Sequence, residues 1–314
     1  CNRRQQVQNM PEQPVTVATE KQPAANAVYH WKTTFALDSA ECDFLRQHNV
    51  KRLYLRMFDV ALDDDPREQE MNIVPIATTR FEGEIPDSIE IIPTTYITFE
   101  ALERLKGREK EFAELIVERL RAMASFNKCG QIREMQFDCD WTRSTESTYF
   151  NLCDYAMQIL SKDSIVLSST IRLHQLRMDA PPVDKGVLML YNTGSLKNKN
   201  TKNSILDIKD VEPYLKKDML YPLPLDYAYP TFGWGVKFYL NYFRAIVSNP
   251  EQEKLGEDET MRLERPTVEE ILKVKDLVEM RLGAPASANI LYHLDGSQLK
   301  HYTDEEIAKI YASR

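Results

Sequence analysis

From residue 29 to residue 311, short runs that alternate apolar with polar residues take turns with longer stretches of helical period, and this restricts the fold more than any other feature. A strand followed by a helix, repeated at intervals of about 25 to 45 residues, builds parallel β/α units, because a parallel neighbour is reached only through a long crossover. About eight strand segments are present, which fits a closed (β/α)₈ barrel, possible irregularities included, better than an open doubly wound sheet. No Gly-x-Gly-x-x-Gly follows a strand pattern, which counts against a dinucleotide fold. With 314 residues, 43% hydrophobic and 28% charged, the chain can fill one such domain, placed at residues 28–314.

Strand patterns fall at 29–35, 51–60, 134–141, 165–176, 186–194, 223–235 and 289–295. Residues 73–81 and 89–97 are two more strand candidates, the second able to complete the third barrel position, and the prolines in both make interior pairing along their whole length doubtful. Helical period marks 99–126, which Gly107 divides, then 147–160, 208–215 and 266–282 with Pro266 in its first turn and Gly283 at its end. Asp38 with Glu41 reads as a capping box, and Thr303 caps a closing helix to 311. Residues 236–247 read as helix or strand, and 249–265 as a charged insertion.

The net charge of −8 leaves no basic stripe to neutralise phosphates, so nucleic acid is not an expected partner; residues 197–202 are read as a solvated loop. Residues 1–27 are polar and rich in Gln, Asn, Pro, Thr and Ala, too poor in apolar surface to fold alone. A chain opening on Cys1 ahead of such a leader resembles a bacterial lipoprotein after signal-peptide removal. The resemblance implies a lipid on Cys1, anchoring to a membrane without a spanning helix, and a place in the cell envelope facing periplasm or exterior. Cys42, Cys129, Cys139 and Cys153 show no metal spacing and are expected as buried thiols, with Cys139 and Cys153 within possible reach of each other. No metal or cofactor is expected.

The stretch from Glu134 to Thr142 organises the functional reading. Period-two alternation sends Gln136, Asp138 and Asp140 to one face and Met135, Phe137, Cys139 and Trp141 to the other. Inward acids near the C-terminal end of a buried parallel strand are expensive unless paired or wet, and barrel enzymes keep their chemistry there. On the next strand Ser168, Thr170, Arg172 and His174 share a face.

Phe137-Asp-Cys-Asp-Trp141 resembles the end of the Asp-x-x-Asp-x-Asp-Trp-Glu strand motif of chitinase-type (family 18) glycosidases. Asp138 and Asp140 fall on its last two aspartates and Trp141 on its tryptophan; Met135 replaces the first aspartate, and Thr142 stands where the family has its catalytic glutamate. A longer pattern is similar to uncharacterised glycoside-hydrolase-like barrel lipoproteins. It comprises Arg56-Met-Phe-Asp59, Gln136 to Trp141, Thr170-Ile-Arg-Leu-His174, Leu190-Tyr-Asn192 and Pro230-Thr-Phe-Gly-Trp234. What it implies is a fold and a sugar-related role.

Glycoside hydrolysis needs one protonated and one ionised carboxyl, about 5–5.5 Å apart for retention or 6.5–9.5 Å for inversion. Same-face residues two apart on a strand lie roughly 6.5–7 Å apart, so Asp138 and Asp140 are close enough to separate their proton affinities. Asp140 is assigned as acid or base and Asp138 as its orienting partner. Asp59, Asp226 and Asp295, each near an expected strand end, are candidates for a further carboxylate. The competing reading makes Asp138 one half of a buried ion pair with Arg172 or Arg56. The two arginines hold either an acidic sugar or the aspartates themselves. Arg56 and Asp59 share a face only if their strand is bulged. His174 is either an acid/base group or a hydrogen-bonded scaffold. Trp141, Tyr191, Tyr227, Tyr229, Phe232 and Trp234 gather at expected strand ends as possible platforms for sugar rings, with Asn192 beside them. The chain therefore reads as a glycoside hydrolase acting on an extracellular glycan. The alternative is a non-catalytic glycan-binding or scaffold lipoprotein that has lost its acid.

Overall fold

The computed structural model describes residues 24–63, 72–217 and 219–312. Cys1 and the leader up to residue 23 lie outside the described residues, as do residues 64–71. Eight parallel strands form the centre: β1 (Ala25–His30), β2 (Val50–Leu62), β3 (Glu90–Ile97), β4 (Glu134–Cys139), β5 (Val166–Arg172), β6 (Lys185–Met189), β7 (Leu225–Pro230) and β8 (Ala288–Tyr292). Each pairs with its neighbour in sequence, and β8 pairs with β1, so the sheet closes into a (β/α)₈ barrel. Around it lie α1 (Ser39–Gln47), α2 (Phe99–Arg104), α3 (Glu109–Phe126), α4 (Glu146–Leu160), α5 (Val268–Leu282) and α6 (Asp304–Tyr311). The ring of helices is irregular: β5 leads to β6 through the single 3₁₀ segment Leu173–Arg177, and β6 is followed by a four-residue helix, Ile208–Val211. No described helix is long and apolar enough to cross a membrane.

Local chemistry sets the helix ends. Asp38 accepts from the Glu41 amide at 2.8 Å while the Glu41 carboxylate accepts from the Asp38 amide at 3.2 Å, closing the expected capping box on α1. Gly107, at φ +85°, separates α2 from α3 in a conformation that a Cβ would strain. Thr303 with Glu306, and Thr267 with Glu270, form two more capping boxes. Pro266 therefore precedes the cap of α5 rather than sitting in its first turn.

Alternation along the strands sorts side chains into two apolar groups. Met135, Phe137 and Cys139 point out of the barrel and pack with Leu152 and Cys153 of α4, and both of these cysteines are buried free thiols. Tyr29, Tyr54, Ile92, Val187 and Ile290 fill the barrel itself. β1 begins four residues ahead of the expected Tyr29, so Ala25–Ala27, assigned to the leader on composition, are strand. β3 takes the third barrel position in spite of Pro93. It pairs with β2 along its whole length, but its ladder to β4 begins only at Thr94, so the missing N–H falls where that neighbour is not yet paired. The other candidate, 73–81, supplies Ile73–Ile76, antiparallel to the end of β2, and Arg80–Phe81, paired with Thr34–Phe35.

Three more expectations are corrected. β5 stops at Arg172 rather than near residue 176. β7 stops at Pro230, and Trp234 opens a separate antiparallel sheet of Trp234–Tyr239, Tyr242–Val247 and Glu259–Glu264. Residues 236–247 are thus the body of a hairpin, and the charged insertion contributes the third strand. Leaving the barrel at the C-terminal end of β7, this small sheet stands on the side where the strand-end acids gather.

Candidate functional site

The C-terminal ends of β2, β4, β5 and β6 bring the acids and arginines together. Asp138, one residue from the end of β4, is 4% exposed. Its Oδ1 accepts from Thr170 Oγ1 at 2.6 Å and from Arg172 Nη2 at 3.2 Å. The same guanidinium donates through Nε to Asp140, whose side chain is 47% exposed, so one arginine bridges a buried acid and an accessible one. Its Cζ lies 5.9 Å from the centre of the Tyr191 ring. Burial pushes the Asp138 carboxyl above the ordinary carboxylate range; Arg172 opposes this, and Asp140 adds to it. For Arg172, burial disfavours the charge, yet Asp138, Tyr191 and Asp140 outweigh it and hold the guanidinium charged.

Beside this group stands a second pair. Arg56 donates from Nε to Asp59 at 2.8 Å and from Nη2 to the other oxygen, a forked geometry, and its Nη1 donates to the Trp31 carbonyl at 3.3 Å. The parity conflict is resolved by a bulge: Arg56 pairs with Thr94 and Phe58 with Thr95, so Met57 is the extra residue and both members face inward. Asp59 is close enough to raise the proton affinity of Asp138.

A cavity of about 420 Å³ opens on the group, lined by Asp140, Thr142, Arg172, His174, Tyr191 and Asn192 among others. His174 is exposed on its wall, in the 3₁₀ turn after β5. Asn192 holds a left-handed backbone at φ 56°. Thr142 offers a hydroxyl, bonded to Ser144 at 2.9 Å, where the chitinase-type motif has a carboxylate. Tyr191 stacks on Tyr292 at 4.6 Å, and Phe232 meets both edge-on. Trp234 is half-buried beside Phe232.

Five sequence assignments do not come to this place. Trp141 is fully buried outside the barrel, stacked on Tyr149 and edge-on to Phe150, on the face its parity demanded. Tyr227 and Tyr229 also point outward: the Tyr227 hydroxyl donates to the Gly283 carbonyl at 2.8 Å, and Tyr229 faces the Lys275 ammonium of α5 at 5.4 Å. Asp226 is inward but at the opposite end, because β7 starts at Leu225. There it accepts from Ser287 N, Ser287 Oγ and Ala288 N and is ion-paired with Lys185 at 3.0 Å. Lys185 also meets Glu134 at 2.8 Å, so the floor of the barrel is a closed polar network. Asp295 lies beyond β8 and caps the turn Gly296–Leu299, accepting from Ser297 N at 2.9 Å; that turn and Lys32 pull its proton affinity below the usual range against the effect of burial.

Sequence reasoning overlooked Tyr96, Trp31 and Tyr292. Tyr96 pairs in register with Asp138, and burial, then Asp140 and Asp138, push its hydroxyl proton affinity up. Parity counted from Thr94 and Ile290 was the signal that would have found Tyr96 and Tyr292. Among the described residues no group of three or more His, Cys, Asp or Glu is placed to hold a metal ion.

Fold and site together define a (β/α)₈ barrel with a group of acids at its C-terminal mouth. No family model matches the sequence, and no curated protein matches it. Solved structures share the fold. The spore cortex-lytic enzyme SleL of Bacillus megaterium superposes with a TM-score of 0.58 at 13% identity, over 97% of this chain and 79% of that one. The family 18 chitinase ChiB of Flavobacterium johnsoniae gives 0.54 at 12%, over 92% and 94%. A mutant of the Group II chitinase catalytic domain 2 of Ostrinia furnacalis, solved with (NAG)5, gives 0.51 at 10%, over 92% and 95%.

Proposed function

We propose that the mouth of this barrel takes a glycan and that the chain hydrolyses it by carboxylate chemistry, with Asp140 as the acid/base group and Asp138 as its orienting partner. The observation that carries this reading is the Asp138–Arg172–Asp140 array, in which one carboxyl is buried and the other opens on the cavity. Environments that differ this much separate the proton affinities of two acids, which is what acid/base work on a glycosidic bond requires. Asp59, whose charge reaches Asp138, is the further carboxylate this reading would use. The rings of Tyr191, Tyr292, Phe232 and Trp234 suit the apolar faces of sugar rings. The neighbours include chitinases, one solved with (NAG)5, which favours chito-oligosaccharides as the first ligands to try.

One observation favours a second reading, a glycan-binding protein without turnover. Thr142 supplies no proton donor of carboxyl strength, and each mouth acid is engaged by an arginine. A single experiment separates the two. Product release from chito-oligosaccharides and from peptidoglycan fragments is followed for wild type and Asp140→Asn, with binding measured by calorimetry on the same samples. Release by wild type that Asp140→Asn abolishes supports hydrolysis. Binding without release by either protein supports the second reading, and equal release by both removes Asp140 from the mechanism.

A further inference from the structure

Glu264 ends the third strand of the antiparallel insert, and its carboxylate is fully buried. Oε2 accepts from Trp234 Nε1 at 2.8 Å and from Ser204 Oγ at 2.5 Å, while Oε1 accepts from Arg262 Nε at 2.6 Å. Arg262 in turn donates to the carbonyls of Asn198 at 2.8 Å and Leu196 at 3.1 Å. One carboxylate therefore ties the insert to the loop after β6, which carries the cavity residues Tyr191 and Asn192. A buried carboxylate with three donors has little freedom to move, so whatever it grips is fixed in place.

What it grips is the N–H edge of a half-buried indole. The Trp234 ring lies 5.2 Å from Phe232, which lies 5.8 Å from Tyr292, which lies 5.9 Å from Trp31. The row follows the rim over the ends of the adjacent strands β7, β8 and β1, with a tryptophan at each end of it. Arg56 covers Trp31 at 5.5 Å, and Glu264 pins Trp234. Each end is held by a charged side chain that is itself bonded elsewhere, which keeps both rings in position before any ligand arrives.

We infer that Glu264 is a positioning residue that fixes Trp234 as an outer stacking platform, so that the mouth selects a chain of several sugar units over a disaccharide. This rests on the reading above that the mouth binds glycan. An indole whose N–H is already satisfied presents its face, not its donor, to a ligand, and an aromatic face suits a sugar ring.

The test measures affinities of the full chain for chito-oligosaccharides from disaccharide to pentasaccharide, by calorimetry and tryptophan emission, in wild type, Trp234→Ala, Glu264→Ala and Glu264→Gln. Wild-type affinity rises with length. Trp234→Ala and Glu264→Ala each weaken the pentasaccharide about tenfold and leave the disaccharide unchanged, on the scale of one lost aromatic contact. Glu264→Gln keeps an acceptor for the indole N–H and recovers most of the loss. Equal weakening at both lengths would mean that the strut is merely structural, and unchanged pentasaccharide affinity in Trp234→Ala would remove the platform; either overturns the inference. Should Glu264→Ala fail to fold, Trp234→Phe decides: it keeps a ring but no N–H for Glu264 to hold, so it should weaken the pentasaccharide and not the disaccharide, and an unchanged pentasaccharide affinity would overturn the role of Glu264. Wild type that binds no chain of any length defeats the glycan reading of the mouth and this inference together, whereas binding without length selectivity defeats only this one.

Discussion

Replacing Arg172 with methionine removes the cation shared by Asp138 and Asp140, and with it the guanidinium that lies over the Tyr191 ring, while keeping an apolar stem. With Asp138 ionised, the variant leaves a carboxylate only 5% exposed with Thr170 as its remaining donor. Removing one partner of a buried pair costs about 3–5 kcal/mol. The low end applies here, because Arg172 is 20% exposed and its second partner Asp140 is half in solvent, so the expected loss is ~3 kcal/mol. That figure holds only where Asp138 is charged. Burial already raises its proton affinity, and Arg172 is the group that opposes the rise, so the variant moves it further up. A carboxyl whose folded value lies above its unfolded value of about 3.9 contributes stability that is complete below that pH. The contribution is lost as pH rises through the folded value. The difference between wild type and Arg172→Met should therefore be ~1 kcal/mol near pH 4, where only packing on Tyr191 is lost, and grow to ~3 kcal/mol near pH 8. Urea unfolding across that range measures it, with Asp138→Asn as the second background. In that background the arginine substitution should cost ~1 kcal/mol at every pH, since no buried charge is stranded. A difference that is flat with pH, or undiminished by Asp138→Asn, would refute the assignment of Arg172 as the counter-ion of a buried carboxyl.

Two further outcomes follow from charges elsewhere in the barrel. Burial, then Lys32 and His293, depress the His30 imidazole to about 4, so the unfolded chain binds a proton there first as pH falls. Its contribution is complete above roughly pH 6.5 and is lost on the way down to pH 4, for a total of ~3 kcal/mol; His30→Leu should flatten chemical unfolding curves in that window, and an unchanged slope would contradict it. At the floor, Lys185→Met strands Glu134 and Asp226 together and should cost ~3–5 kcal/mol, partly restored by adding Glu134→Gln. Thermal unfolding of the single and double variants checks this, and a loss below ~1 kcal/mol in the single variant would show that the floor network carries little.

How much of this was legible depends on which physical rule each residue obeyed. The barrel could be read because crossover length and strand alternation are properties of continuous segments. The inward group Gln136, Asp138, Thr170 and Arg172 could be read because a period of two leaves one choice of face once a strand is placed. Trp141 shows that rule being set aside: alternation had already put it with Phe137 and Cys139, and grouping it with other aromatics overrode a stronger constraint. Asp226 shows its limit. It was placed only by nearness to an expected strand end, but depth along the barrel follows from where a strand starts, and the apolar run ahead of Leu225 hid that start. A misjudged boundary moved an acid from one end of the barrel to the other.

The bulge at Met57 sits between these cases. Arg56 and Asp59 at a spacing of three cannot share a face of a regular strand, yet a forked arginine–carboxylate pair at the mouth requires that they do. The conflict was visible in the sequence; only the register shift against Thr94 and Thr95 resolves it. The partners that decide the chemistry are of another kind again. Whether Asp140 has an acid opposite it, and whether Trp234 faces ligand or core, depends on residues such as Glu264 and Ser204, which lie 30 residues or more from Trp234 and carry no motif. Contacts of that kind follow from closure of the ring and from the hairpin rising beside it. A scan for paired acids could therefore locate the mouth of this protein, while its walls are set by contacts that no such scan contains.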